Sequence, residues 1–302
     1  MAIENMPVII EVAVNGVTTP ERNPAVAADA KALAADALAC FEAGATIIHT
    51  HPTRVTATLD ERAEEYAAAF RIMLAERPGA IVYPTMGGGT AIGERYDHHL
   101  ALAGEDLIKM AVIDPGSVNL AASAPDGSPP DTPRAYVNTP ADIRYMMDVC
   151  QREQLGPSFA IYEPGFLRMV LVYHQSGQLA PGSLTKFYFS GGGYFSRGTP
   201  VFSAPPIPEA LDLYLAMLGD APLPWGVAVL GGSIFETPIA RMAVERGGHL
   251  RIGLEDDGSG PANVEQVRRA VALCADVGRP VATHDQTVAI LGLPRGPATP
   301  VL

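Results

Sequence analysis

Short apolar, β-branched runs alternate along this chain with longer stretches whose apolar residues recur at helical spacing. The strand-like runs cover 7–16 (PVIIEVAVNG), 45–52 (ATIIHTHP), 80–89, 106–117, 158–165, 184–193, 225–233 and 249–257 (HLRIGLEDD). Each closes on turn-forming residues, as a parallel strand does where it enters a loop. Between them, residues 27–43 place Ala30, Leu33, Ala34, Ala37, Leu38 and Phe41 on one helical face. Residues 59–75 repeat the pattern with a charged opposite face. Thr139-Pro140 reads as an N-cap followed by proline at the first helical position. Residues 208–219 end on Gly219, and 262–278 run from Asn263 as cap to Gly278 as stop.

Eight strand–helix units match a closed (β/α)8 (TIM) barrel, read as one domain over residues 1–302. A doubly wound open sheet is the alternative that strand counting leaves open. Residues 120–138 break the alternation: rich in Pro, Ser, Ala and Asp, they predict a long irregular loop after the fourth strand. Loops of that length serve as lids or inter-subunit arms, or are disordered.

Composition narrows the partners. Hydrophobic residues make up 48% of the chain, enough for a large core. The formal net charge of −12 would repel a phosphate backbone, so no nucleic-acid partner is expected. The N-terminus lacks the pattern of a signal peptide. No apolar run reaches the ~18–20 residues of a membrane span, so no membrane partner is expected and the cytoplasm is the default. Cys40, Cys150 and Cys274 form no C-x-x-C pair and read as buried free thiols.

The chemistry concentrates at strand ends. His49 and His51 are two apart, so in a strand both project to one face, at the mouth where barrel sites lie. They are either a clamp for a borderline-soft cation such as zinc or two polar residues closing a strand. In the eighth run Arg251, Gly253 and Glu255 alternate onto one face, with Asp256 and Asp257 following. Glu255 either completes a His2Glu metal site with an open position or pairs with Arg251. Glu11, inside the apolar first strand, either touches a ligating histidine or substrate, or is a core acid neutralised by Arg251.

The glycine runs TMGGGT (85–90) and SGGGYFSRG (190–198) match neither the dinucleotide fingerprint nor the phosphate-loop pattern. Gly87 offers backbone approach to a ligand and Thr85 a hydroxyl; plain tight turns are the alternative. Leu230 to Ser233 sit where barrels often bind phosphate. His284-Asp285 resembles the late ligand of metal-dependent hydrolases but follows the eighth helix, which suggests a surface turn. His98 and His99 read as exposed helical residues, and His174 and His249 have no ligand-spaced neighbour.

The segments EVAVNG, HTHP, the glycine run after strand three, and GGHLRIGLEDD followed by RPVAT and ILGL resemble the β-keto acid cleavage enzymes. The named member of that family is the 3-keto-5-aminohexanoate cleavage enzyme. The resemblance extends to about Leu293 and implies a (β/α)8 barrel, a homotetramer and one divalent metal, commonly zinc. It implies His49, His51 and Glu255 as ligands, Asp256 as general base, and Arg251 as the group that positions it. Thr85 and Glu11 would lie against substrate and metal. The implied reaction takes a β-keto acid and acetyl-CoA to acetoacetate and a new CoA thioester. For Asp256 to act beside Glu255 the chain must bend after Glu255. Two departures stand out: Pro157-Ser158-Phe159-Ala160 replaces a Pro-Glu-x-Glu pattern, and Gly232-Ser233 replaces Gly-Arg. The first removes the expected counter-ion of an amine-bearing substrate, which points to a different β-keto acid. The hydrolase reading requires His284 or Asp285 at the metal, and a third reading is a metal-binding barrel without catalysis.

Overall fold

The computed structural model describes residues 6–56, 58–124, 126–133, 135–192 and 198–294. Its strands are β1 (Ile10–Ala13), β2 (Ile47–Thr50), β3 (Ile81–Pro84), β4 (Met110–Ile113), β5 (Gly156–Ile161), β6 (Leu184–Ser190), β7 (Trp225–Leu230) and β8 (His249–Ile252). They run in the order β3-β2-β1-β8-β7-β6-β5-β4. β1 is parallel to both neighbours, with Glu11 opposite Ile47 on β2 and opposite Arg251 on β8. Chain order therefore passes round the sheet without the reversal that defines a doubly wound fold. β3 and β4 pack side by side at the seam, though no ladder joins them among the described residues. The expected (β/α)8 barrel forms, nearly closed.

The strands are shorter than the apolar runs that announced them. Residues beyond each ladder turn into loops at the mouth; Asn15, for example, leaves β1 to bond the backbone of His51. The helices follow the predicted periodicity with small shifts. α1 (Ala30–Ala43) starts after residue 27 because Asp29 caps it, accepting from the amide of Ala32 at 2.8 Å. α2 (Leu59–Glu76) and α5 (Pro140–Arg152) open on reciprocal capping boxes, Thr58 with Glu61 and Thr139 with Asp142. α9 (Asn263–Val277) differs: Ala262 holds the cap position and Asn263 is the first helical residue. The Asn263 side chain instead accepts from Leu254 N at 2.9 Å and donates to Val14 O at 2.7 Å, bracing the loop after β8.

α4 (His98–Gly104) also corrects the sequence reading. His98 and His99 are fully buried, because α4 packs on α2 beneath the loop that follows β3. His98 Nε2 lies 2.8 Å from Thr85 O and His99 Nδ1 2.9 Å from Tyr96 O.

Two apolar layers hold the barrel. Outside it, Val12, Ile48, Val82, Ile113, Phe159, Phe187 and Val227 pack under the helices. Inside it, Ile9, Ile47, Ile81, Met110 and Leu184 meet Leu291 and Leu293, which come from α10 (His284–Leu291) and its end. That helix closes the floor. Fully burying each such side chain is worth about 1.5–3 kcal/mol, so this layer anchors the strands beneath the site. Cys40, Cys150 and Cys274 are buried free thiols. No helix among the described residues is long and apolar enough to cross a membrane.

The irregular excursion after β4 is stitched at its ends. Val118 and Tyr136 exchange backbone hydrogen bonds of 2.9 and 2.8 Å, and Ala122 bridges Pro200. Arg95 donates to Val137 O at 2.6 Å and to the Asn138 side chain.

Candidate active site

Alternation along each strand sets which side chains look inward. Ile9, just before β1, and Glu11 on it face inward, as do Ile47 and His49 on β2, Ile81 and Tyr83 on β3, and Leu184 and Lys186 on β6. Above the apolar floor, then, the same rows turn polar. His51 continues the β2 row past the strand end, and its backbone is fixed by Asn15, which donates to His51 O at 2.9 Å and accepts from His51 N at 2.8 Å.

Glu255 reaches the same place from β8 by a bend. Gly253 has φ +130° and ends the strand; a Cβ there would stand 2.2 Å from Ala13 O. Its carbonyl accepts from Asp256 N and Asp257 N, so residues 254–256 turn rather than continue extended. The bend lies before Glu255, where the sequence reading placed it after. Glu255 then packs on Gly16, at φ +57°, where a Cβ would come within 2.4 Å of Glu255 Cγ. Only glycine fits at either position.

His49 Nε2 and His51 Nε2 each lie 3.4 Å from Glu255 Oε2, and the two rings stand 5.4 Å apart, nearly perpendicular. Among the described residues, these three form the group able to ligate one ion, their ligand atoms all within 4.8 Å of one another. His51 Nε2 and Glu255 Oε2 are buried without a hydrogen-bond partner. A contact of 3.4 Å is too long for a good hydrogen bond. It is the spacing of tetrahedral ligands each about 2.1 Å from a shared cation, which is about 3.4 Å. The donor set therefore fits a divalent ion. Burial holds the His49 ring well below its ordinary pKa, so it is neutral and ready to ligate. Burial raises Glu255, but Arg251 and then the two imidazoles outweigh it and hold the carboxyl well below the usual range.

Arg251 is the hub. It donates to Glu255 Oε1 at 2.8 Å, to Asp256 Oδ2 at 3.1 Å through Nε, and to Glu11 Oε1 at 3.0 Å. Asp256 is buried, and burial lifts its carboxyl above the ordinary range despite the pull of Arg251. Glu11 Oε1 has the contacts of a neutralised core acid, taking Tyr83 OH at 2.6 Å, Lys186 Nζ at 2.9 Å and Arg251, while Oε2 is buried without a partner and open to a further contact. Burial raises the Glu11 carboxyl, and Lys186 and Arg251 more than reverse it.

Lys186 and Tyr83 escaped the sequence reading. Lys186 is 1% exposed, donates to Tyr83 OH at 2.6 Å, and Ser158 Oγ reaches the same phenol at 3.0 Å. The signal was present, since a lysine inside LTKFYFS is the same anomaly as Glu11 inside IEVA. Thr85 ends the inward row of β3. Gly87 lies beside Arg62, whose guanidinium bonds Glu94 O at 2.7 Å and would meet a Cβ at Gly87 at 2.1 Å. Gly231 N donates to Asp256 O at 2.7 Å, so the loop after β7 braces Asp256. Residues 193–197, part of the second glycine run, lie outside the described residues.

His284 and Asp285 fall at the opposite end. Thr287, on the same helix α10, donates to Thr46 Oγ1 at 2.8 Å before β2 begins, and a Cβ at Gly79, before β3, would lie 3.8 Å from His284 Nε2. They begin a helix under the floor rather than a turn, and neither reaches the triad. His249 Nδ1 accepts from Ile9 N at 3.1 Å, a structural role.

Comparison with known proteins adds to this geometry. Residues 7–293 match the model of the beta-keto acid cleavage enzyme family. The 3-oxoadipate:acetyl-CoA acetyltransferase of Cupriavidus necator is 29% identical over 297 residues, 95% of each chain. The 3-keto-5-aminohexanoate cleavage enzyme of Fusobacterium nucleatum is 27% identical over 292 residues, 94% of this chain and 97% of that one. Among solved structures, apo ObcA superposes with a TM-score of 0.64 at 16% identity, over 89% of this chain and 66% of that longer one. That last likeness is one of fold.

Proposed function

We propose that this chain, which belongs to the beta-keto acid cleavage enzyme family, transfers the acyl group of a β-keto acid to CoA, with acetyl-CoA as co-substrate and acetoacetate as the second product. The observation that carries this reading is the convergence of His49, His51 and Glu255 beside the Arg251–Asp256 pair. Those three ligands would hold the cation, zinc by donor type, and it would supply a Lewis acid to the ketone and carboxylate oxygens.

The chain's own residues account for the rest. Asp256, fixed by Arg251, takes a proton from the carbon between ketone and carboxylate. That carbon attacks the acetyl thioester and releases CoA thiolate. The thiolate adds to the original ketone, the bond between that carbonyl and the attacking carbon breaks, and the new thioester leaves. Asp256 returns its proton to the acetoacetate carbanion. Arg251 neutralises Asp256 while it is ionised, Glu11 keeps Oε2 for substrate, and Thr85 with the backbone at Gly87 lines the rim on the β3 side. The same reading carries a cytoplasmic homotetramer; the three free thiols suit a reducing compartment.

A panel of β-keto acids incubated with acetyl-CoA tests this. At least one is expected to give acetoacetate and its own CoA thioester in equal amounts. Binding of metal and β-keto acid with no thioester from any member would favour a barrel without catalysis.

A further inference from the structure

Asp114 is a buried acid that the proposed chemistry leaves unused. It extends the inward row of β4 past the strand end, after Met110 and Val112, both of which face the barrel interior. It is 5% exposed. Its Oδ2 accepts from Tyr136 OH, while Oδ1 is buried with no hydrogen-bond partner. Burial raises this carboxyl, and Tyr136, then Lys186 and Arg251, pull it down, so the two cations beneath the candidate metal site are within electrostatic reach.

The side chains around it are small or apolar. Val112 pairs with Ser158, so Asp114 comes beside Ala160, and the inward row of β5 carries Ser158 and Ala160 where no acid stands. Ala160 packs with Tyr188, Phe202, Ala228 and Leu230 into an apolar wall, and Arg251 stacks over Tyr188 at 5.4 Å. The wall thus begins at the residue that binds Asp256 and continues toward Asp114. Tyr136, which fixes Oδ2, is itself placed by the stitched excursion after β4. Leaving a buried carboxylate oxygen unsatisfied is unfavourable, more so when it is charged, and a substrate donor would satisfy it.

We propose that Asp114 is a specificity-determining residue that accepts a hydrogen bond from a donor, hydroxyl or ammonium, on the acyl tail of the β-keto acid. The proposal rests on the acyl-transfer reading for the identity of the ligand. A site built to bond a donor rejects the analogue lacking it far more strongly than an apolar pocket rejects a methylene.

The test uses β-keto acids of equal length whose tails end in methyl, hydroxyl, ammonium or carboxylate. Each is measured by calorimetric Kd without acetyl-CoA and by kcat/KM for thioester formation, in the wild type and in Asp114→Asn. The hydroxyl or ammonium tail, whichever it is that Asp114 reads, is expected to bind at least about tenfold tighter than methyl, and carboxylate weakest. In Asp114→Asn the amide must spend its oxygen on Tyr136 and turn its NH2 toward the tail. The donor preference is therefore expected to vanish or reverse toward carboxylate. A wild type that binds methyl or carboxylate tails best overturns the proposal even if the variant fails to fold, and so does a variant that keeps the wild-type order. If the Kd order holds while no tail gives a thioester, Asp114 keeps its role and the acyl-transfer reading falls.

Discussion

Four side chains carry most of the electrostatic burden at the mouth: Arg251, Glu11, Lys186 and Asp256. Asp256→Asn keeps the shape and removes the proposed base; kcat is expected to fall about 10²–10⁴-fold while metal content, read by elemental analysis, stays at the wild-type value. A variant that also lost its metal would mean Asp256 holds the site rather than serves it. Lys186→Met leaves the Glu11 carboxylate buried with one cation fewer. Breaking a buried pair from one side costs about 3–5 kcal/mol, which the urea midpoint would register; an unchanged midpoint would mean Glu11 is neutral in the fold. At this scale the sequence was legible where a charge interrupts an apolar strand next to a recognisable motif. Lys186 obeys the same rule with no motif beside it. His98 and His99 misled because helical spacing says which face a residue shares, not whether another helix covers that face.

The turn after β8 is the element that decides whether the site exists. Strand alternation would separate Glu255 from Asp256, and the bend at Gly253 lets both answer to Arg251. The turn is braced from α9, where Asn263 Oδ1 accepts from Leu254 N and Gln266 Oε1 from Gly253 N. Gly253→Ala meets Ala13 O and a disfavoured φ together. It is expected to cost about 1–3 kcal/mol of stability and to weaken metal affinity by displacing Glu255, both measurable by metal titration beside thermal melting. Normal affinity would show that the turn tolerates a side chain. The need for a bend could be inferred from two adjacent acids; its place could not, because that depends on how closely β8 approaches Ala13. For the same reason Asn263 read as a helix cap, when its partner lies nine residues back on the loop it braces.

Across the whole molecule the barrel separates chemistry from stability. The mouth holds the titratable cluster, and the opposite end is sealed by Leu291 and Leu293 against Ile9, Ile47 and Ile81. Eight alternating units made the barrel legible as one of two candidates, since right-handed crossovers serve an open doubly wound sheet equally well; the strand order decides between them. Asp285→Asn, on the sealing helix, is expected to leave turnover within about twofold of wild type, in line with the small effects of exposed substitutions; a crippled enzyme would revive the hydrolase reading. The central claim is that one cation shared by His49, His51 and Glu255 is required for acyl transfer. Its most direct test is to titrate zinc into chelator-stripped protein while following acetoacetate formation from a β-keto acid that is turned over. The account predicts no turnover before addition, recovery that saturates at one equivalent per chain, and none in Glu255→Gln. Full turnover in stripped protein, or the same titration curve in Glu255→Gln, would contradict it.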